Sequence, residues 1–344
     1  MNLMILDKGA IAPLVKALME DYRVVGPRAK GPQFVFDTLT DPAQLRLDYN
    51  TTILPPKKAL QPPEERLATF KRGTDPHIEP VIEATPTVLL GVHTCDLHAI
   101  KLLDKVFSAE YPDAHYLERR RQTIIVGLEC LEPCDEHSFC KSMGTLTADD
   151  GYDLHLTDLG PAYAVDVATE AGAELLARYA QGGAEEATEA EYERLNRVLS
   201  AKWPRFTYRL NFEAVDLPAM LSTAYDHPLW EELGERCLAC GSCTNVCPTC
   251  YCFNVMDEVN MALTEGERIR RWDSCQLDEF ARVAGGENFR QARSARQRHR
   301  FMRKGKYIYE KFGELGCVGC GRCIRACVAK ISIVEGFNTI HGSV

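Results

Sequence analysis

No run of apolar residues in this 344-residue sequence approaches the roughly 18 needed to span a bilayer. The opening stretch, MNLMILDKGAIAPLVKALMEDY, lacks a basic n-region, a long apolar segment and a small-residue cleavage site. It reads as a strand followed by an amphipathic helix, so no export signal is expected. There is no excess of positive charge either. Forty Lys and Arg against 49 Asp and Glu leave a formal charge of −9, which argues against nucleic acid or an anionic membrane as partner of the whole molecule. No G-x-G-x-x-G follows a strand-like run, so the nucleotide-binding fingerprint is missing. Haem-attachment motifs, helix-turn-helix patterns and a nickel-type set of paired C-x-x-C motifs are missing too. What the chain has in excess is cysteine, with fifteen residues. In a chain without an export signal they point to the reducing cytoplasm, where clustered thiols more often hold metal than form disulfides.

The length allows two or three domains. Up to about residue 165, apolar strand-like runs alternate with helical stretches. QFVFDTL (33–39), PTVLLGVH (86–93), QTIIVGL (122–128) and AYAVDV (162–167) read as strands. Between the second and third, DLHAIKLLDKVF (96–107) has helical spacing, with Asp96 as its expected N-cap. Strand, helix, strand implies a crossover unit, hence an α/β region (1–165) with a mixed or parallel sheet. Residues 166–225 read as a helical packing layer, broken at Gly182-Gly183 and free of recognisable chemistry. The boundary falls near residue 225, because eleven of the fifteen cysteines lie beyond Pro228. Residues 226–344 are expected to form a mostly helical domain, giving an α+β, two-domain protein.

In RCLACGSCTNVCPTCYCF (236–253), Cys237-x2-Cys240-x2-Cys243-x3-Cys247-Pro has the bacterial ferredoxin spacing. It recurs without the proline as Cys317-x2-Cys320-x2-Cys323-x3-Cys327. Three thiolates two residues apart can wrap a loop around three corners of a [4Fe–4S] cube. The fourth cysteine of such a run reaches the other cube. One cluster is therefore expected on Cys237, Cys240, Cys243 and Cys327. A second is expected on Cys317, Cys320, Cys323 and Cys247. Zinc also uses paired C-x2-C motifs, but needs only four ligands per site, and two full runs exceed that pattern. Between the runs lie 69 residues that read as helical: NVMDEVNMAL, LDEFARVA and FRQARSARQRHRFMRKGKYIYEKF. From Arg290 to Lys306 there are eight Lys or Arg residues, His299 and no acid. Either this is a solvated helix face that offsets anionic clusters, or it docks an acidic redox partner.

Seven cysteines remain. Cys95 and Cys130 each follow a strand, so a parallel sheet would bring both to its carboxyl edge. Cys134 and Cys140 follow in the loop LEPCDEHSFCKSMGT. These four could ligate a third [4Fe–4S] cluster, hold zinc with His137 or His93, or stay as free thiols. His93 and His98 read as hydrogen-bonded structural histidines. Cys250, Cys252 and Cys275 could be spare thiols packed like small apolar side chains. They could instead be reactive thiols that handle sulfur or a disulfide, or share a further metal site with Asp273.

Taken together, GVHTCDLHAIKLLDKVF, FCKSMGT, RCLACGSCTNVCPTCYCF, RRWDSC, AGGENFR and GCVGCGRCIRAC resemble the family of sulfhydrogenase β subunits and anaerobic sulfite reductase A subunits. Related subunits feed heterodisulfide reductases. The resemblance covers most of the chain. It implies a cytoplasmic electron-transfer subunit without catalytic residues of its own, carrying two [4Fe–4S] clusters, with a third as the alternative open at Cys95, Cys130, Cys134 and Cys140. The expected partners are an FAD- and NAD(P)-binding, ferredoxin-reductase-like subunit and a terminal hydrogenase, sulfite reductase or heterodisulfide-reductase-type subunit. Relatives often read Cys-Phe-Cys before Ser-Met-Gly-Thr. Here Ser138 precedes Phe139 and Cys140, so Cys134 would have to supply the fourth thiol. The alternative is a sulfur or disulfide reductase using Cys250, Cys252 and Cys275, and a more distant one is an iron–sulfur redox sensor.

Overall fold

Two sheets organise the computed structural model, which describes residues 2–73, 75–180 and 182–343. The strands in chain order are β1 (Asn2–Asp7), β2 (Arg23–Lys30), β3 (Gln33–Thr38), β4 (Glu64–Lys71), β5 (His77–Pro80), β6 (Thr87–His93), β7 (Thr123–Leu128), β8 (Leu154–Asp158), β9 (Ala162–Val167), β10 (Ala184–Glu186), β11 (Phe253–Val259) and β12 (Glu265–Trp272). The larger sheet has the order β10-β1-β9-β8-β7-β6-β2-β3. Its centre, β2-β6-β7-β8, is parallel, and the remaining pairings are antiparallel. The sheet is thus mixed, and all four runs read as strands are strands in it. β6 is buried along its whole length, which explains its unbroken apolar sequence.

The helix after β6 spans Thr94–Ser108 and begins before Asp96. His93 is the residue at its N-cap, so the expected cap at Asp96 is corrected. Asp96 lies in the first turn with its side chain fully buried, committed to a distant arginine instead of the helix amides. The packing layer contains the expected helices, Glu170–Tyr179 and Glu189–Lys202. Between them β10 adds an edge strand to β1.

The insert between the cysteine runs departs from expectation. NVMDEVNMAL is not helical: β11 and β12 form an antiparallel hairpin over Phe253–Trp272. Its sequence has no strict two-residue alternation and its long Met, Glu and Leu side chains suit a helix, so tertiary pairing decides for the strand. β12 pairs with β4, so strands from both sides of residue 225 share the smaller sheet, β11-β12-β4-β5. LDEFARVA is not a helix either: it holds one 3-10 turn, Glu279–Ala281, in a loop whose backbone is folded by turns. The remaining helices are Leu229–Arg236, Arg293–Met302, a π-helical turn at Arg303–Tyr307 and Ile333–His341. These pack around Leu217, Leu221, Trp230, Phe301, Phe337 and Ile340. The protein is α+β overall.

A buried charge network fastens the hairpin. Glu65 of β4 accepts from Arg270 of β12 at 2.7 Å and from Arg119, and Arg270 also bonds Asp113. Glu65, Arg119 and Arg270 are all buried. Removing the charge of Glu65 leaves two arginines without their shared partner, which costs about 3–5 kcal/mol in comparable buried pairs. Glu65→Gln should therefore lower the melting midpoint of the cluster-loaded protein in scanning calorimetry. A midpoint equal to wild type would show that the network contributes nothing.

Candidate metal centres

The two cysteine runs fold into matching loops. In the first, Ala239 (φ 52°) and Gly241 (φ 75°) precede a short helix, Ser242–Asn245. In the second, Gly319 (φ 67°) and Gly321 (φ 72°) precede Arg322–Arg325. The alternation of left-handed residues turns the backbone so that thiols at every third residue face one space. A Cβ on Gly319 would lie 2.6 Å from the Cα of Cys140, and one on Gly321 would lie 2.6 Å from the carbonyl oxygen of His137. The second run thus needs glycine where the first tolerates Ala239, because it is pressed against the loop 137–145.

Two cavities lie between these loops. Cys237, Cys240, Cys243 and Cys327 line the first, with Ser242, Gln276, Gln297 and Arg300 and about 400 Å³ of atom-free space. Cys247, Cys317, Cys320 and Cys323 line the second, with Thr249, Arg300 and Lys304 and about 370 Å³. Each cavity takes three cysteines from one run and the last cysteine of the other. Cys243 and Arg300 border both. The first opens to the surface, where Cys240 is exposed between exposed Leu238 and Val328. Backbone N–H groups of Ala239 and Ile331 donate to Cys237 and Cys327 sulfurs, each at 3.3 Å.

The basic stretch is neither simply a solvated face nor simply a docking surface. Arg296, Arg300 and Lys304 recur every fourth residue and are all buried. The Lys304 ammonium donates to the Thr249 hydroxyl at 2.6 Å. Burial alone would lower the pKa values of Arg300 and Lys304, but the thiolates of Cys243, Cys247 and their neighbours raise both above their ordinary values. Buried cations beside clustered thiols, in spaces without carboxylates in their lining, fit an anionic thiolate-ligated group. Among the described residues no three His, Cys, Asp or Glu side chains converge tightly enough for a single metal ion. The thiols stand around spaces instead of meeting at a point.

The four cysteines before residue 225 also come together. Cys95 and Cys130 emerge beyond β6 and β7 at the carboxyl edge of the parallel strands. With Cys140 they share a buried cluster against which Cys320 packs. Cys134 lies close enough to Cys130 and Cys140 for its charge to raise both thiols, after burial, and Cys140 is pushed up to about 12. Free thiols there stay protonated, whereas coordination to a positive iron core would hold them as thiolates. His93 stacks on Tyr49 (centroids 4.1 Å apart) with Nδ1 4.0 Å from Cys134 Sγ, and His98 Nε2 bonds the Thr147 carbonyl at 2.7 Å. His137 is half-buried beside Glu136. Lys202, in the layer read as free of chemistry, is buried with its ammonium on Glu129 Oε1 at 2.5 Å, next to Cys130.

The site nearest the second cavity is tied to it by Arg322, whose guanidinium forks onto Asp96 at 2.6 and 2.7 Å with both side chains fully buried. Asp96 was expected only as a helix cap, and Arg322 did not stand out in the sequence. The proximity of Asp96 to Cys95 and of Arg322 to Cys320 and Cys323 was the available signal. Among the last three cysteines, Cys250 lies beside Cys247 and Cys252 beside Cys275. Neighbouring Cys275 comes first among the causes that bring Cys252 down to about 6, with Arg303 and Lys304 assisting. Asp273 accepts from the Ser274 amide at 2.6 Å.

The 4Fe-4S dicluster domain family matches residues 236–331, the segment that contains both runs, so the chain carries two [4Fe–4S] clusters. The chain is also similar to sulfhydrogenase 2 subunit beta of Pyrococcus furiosus, with 38% identity over 324 residues, 94% of each chain. No helix among the described residues is long and apolar enough to cross a membrane. The chain belongs to the sulfhydrogenase β-subunit family.

Proposed function

We propose that this chain is an electron-relay subunit of a cytoplasmic oxidoreductase complex of the sulfhydrogenase type. Electrons would pass between an FAD- and NAD(P)-binding, ferredoxin-reductase-like subunit and a terminal hydrogenase, sulfite reductase or heterodisulfide-reductase-type subunit. A bound [4Fe–4S] cluster supplies reversible one-electron chemistry, and this chain's residues position it, shield it and set its charge environment. The reading rests on one observation: two thiol-lined cavities that exchange the last cysteine of each run and share Cys243 and Arg300. On it, Cys237, Cys240, Cys243 and Cys327 hold one cluster and Cys317, Cys320, Cys323 and Cys247 the other. The exposed first cavity is then the face that meets a partner subunit. No residue is assigned a catalytic role.

Cys95, Cys130, Cys134 and Cys140 hold a third cluster in this reading, supported by the buried cluster that Cys95, Cys130 and Cys140 share at the sheet edge, by Cys320 packed against it, and by Cys134 beside Cys130 and Cys140. The three sites then form a series with the second cavity in the middle. After anaerobic purification the chain should contain about twelve irons, and Cys140→Ser should reduce this to about eight. About eight irons in both proteins would remove the third cluster and leave the relay reading standing. Fewer than eight in wild type would remove the ligand assignment itself.

The contact between Cys252 and Cys275 favours a second reading, in which the chain itself reduces a sulfur compound or disulfide. The lowered Cys252 thiol would be the nucleophile. The isolated chain, given an artificial reductant, should then turn over polysulfide, and Cys252→Ser should abolish turnover at unchanged iron content. Turnover equal to wild type in the variant would end this reading.

A further inference from the structure

The charges around the two cavities are unequal. Arg300 (4% exposed) and Lys304 (8%) line the second cavity. Lys57 (3%), from far away in the chain and outside the lining, reaches the segment that follows Cys247, donating to the Cys250 carbonyl with its ammonium 4.3 Å from the Trp272 ring centre. Among the described residues, none of these three cations has a carboxylate oxygen within the 4.0 Å of an ion pair. Arg322, also near Cys320, is answered by Asp96 and adds little net charge. The first cavity is different. It shares Arg300 at its inner wall, and its other polar lining groups, Ser242, Gln276 and Gln297, are neutral. Gln297 Nε2 donates to Cys237 Sγ at 2.9 Å and to Gln276 Oε1 at 2.8 Å, while Gln276 Nε2 holds the Arg296 carbonyl at 2.9 Å.

Reduction adds one negative charge to a cluster that is already anionic. Deeper burial by itself would disfavour that charge in the second cavity. The same low dielectric, however, leaves the field of each nearby cation undiluted by water, and the cations are not consumed by carboxylates. Neutral amide dipoles at the first cavity act in the same direction but more weakly than full charges.

We propose that Lys304 and Lys57, added to the Arg300 that both cavities share, hold the cluster of the second cavity at a higher reduction potential than that of the first, making it the place where a transferred electron rests. Gln297 tunes the first cluster separately, through Cys237. Lys304, Lys57 and Gln297 are positioning residues that act on the clusters through charge and hydrogen bonds. The inference depends on the ligand assignment proposed above.

The test is an anaerobic potentiometric titration of the full cluster-loaded chain, followed by electron paramagnetic resonance, with iron content measured on each sample. Lys304→Met should lower one reduction wave by at least tenfold in the oxidised-to-reduced ratio, about 59 mV for one electron. That wave should be higher in wild type than the wave lowered by Gln297→Leu. Lys57→Met, farther from the thiols, should lower the same wave as Lys304→Met. With full iron content, an unmoved wave in both lysine variants, or movement of the wave that Gln297→Leu also moves, overturns the proposal. A wild-type iron content below eight per chain would instead overturn the ligand assignment.

Discussion

The buried fork of Arg322 onto Asp96 holds the two cysteine-bearing regions in register. Arg322 sits between two cysteines of the second run, and Asp96 is next to Cys95 at the end of the central parallel strand. With both side chains fully buried, each charge depends on the other, because either one alone would be an uncompensated charge in low dielectric. The pair fixes where loop 317–323 lies on loop 137–145. Gly319 and Gly321 then meet Cys140 and His137 without space for a side chain. Hydrogen bonds complete the seam, from the Phe139 amide to the Gly319 carbonyl at 2.8 Å and from the Thr145 hydroxyl to the Val318 carbonyl at 2.6 Å.

The same logic extends to the hairpin. β12 joins β4 edge to edge, and the Glu65–Arg119–Arg270–Asp113 network lies beneath that seam. Sequence separations of about two hundred residues are closed in both places by buried, directional charge contacts. Hydrophobic packing supplies most of the stabilising area, but it is non-directional and would tolerate small slips. Forked guanidinium–carboxylate contacts tolerate far less.

Much of the site was legible because its chemistry forces a local spacing. Cys-x2-Cys-x2-Cys-x3-Cys announces itself, and the exchange of the last cysteine between runs follows from the reach of such a loop. The strands flanking Cys95 and Cys130 were legible for a similar reason: buried parallel strands are short, apolar and bounded. The helical packing around Trp230, Phe301 and Phe337 was expected in kind. The hairpin of β11 and β12 was not, because its residues lack a strict two-residue period and only pairing with the partner strand β4 decides for the strand. Nor was the fate of the basic stretch. Arg296, Arg300 and Lys304 form one stripe of a helix, but a stripe does not say whether it faces water or buried thiols.

The sequence by itself determined that two cysteine runs carry the dicluster spacing and that thiols follow the parallel strands β6 and β7. These are consequences of spacing along the backbone, set within a few residues. Only the tertiary structure decided that the second run abuts the loop that carries Cys140, that β11 and β12 are strands, and that two lysines stand by one cavity while amides serve the other, with Arg300 between them. Those outcomes depend on groups far apart in the chain, including Lys57 and Lys304, meeting in a medium of low dielectric. There the absence of a neighbouring carboxylate matters as much as the presence of a charge.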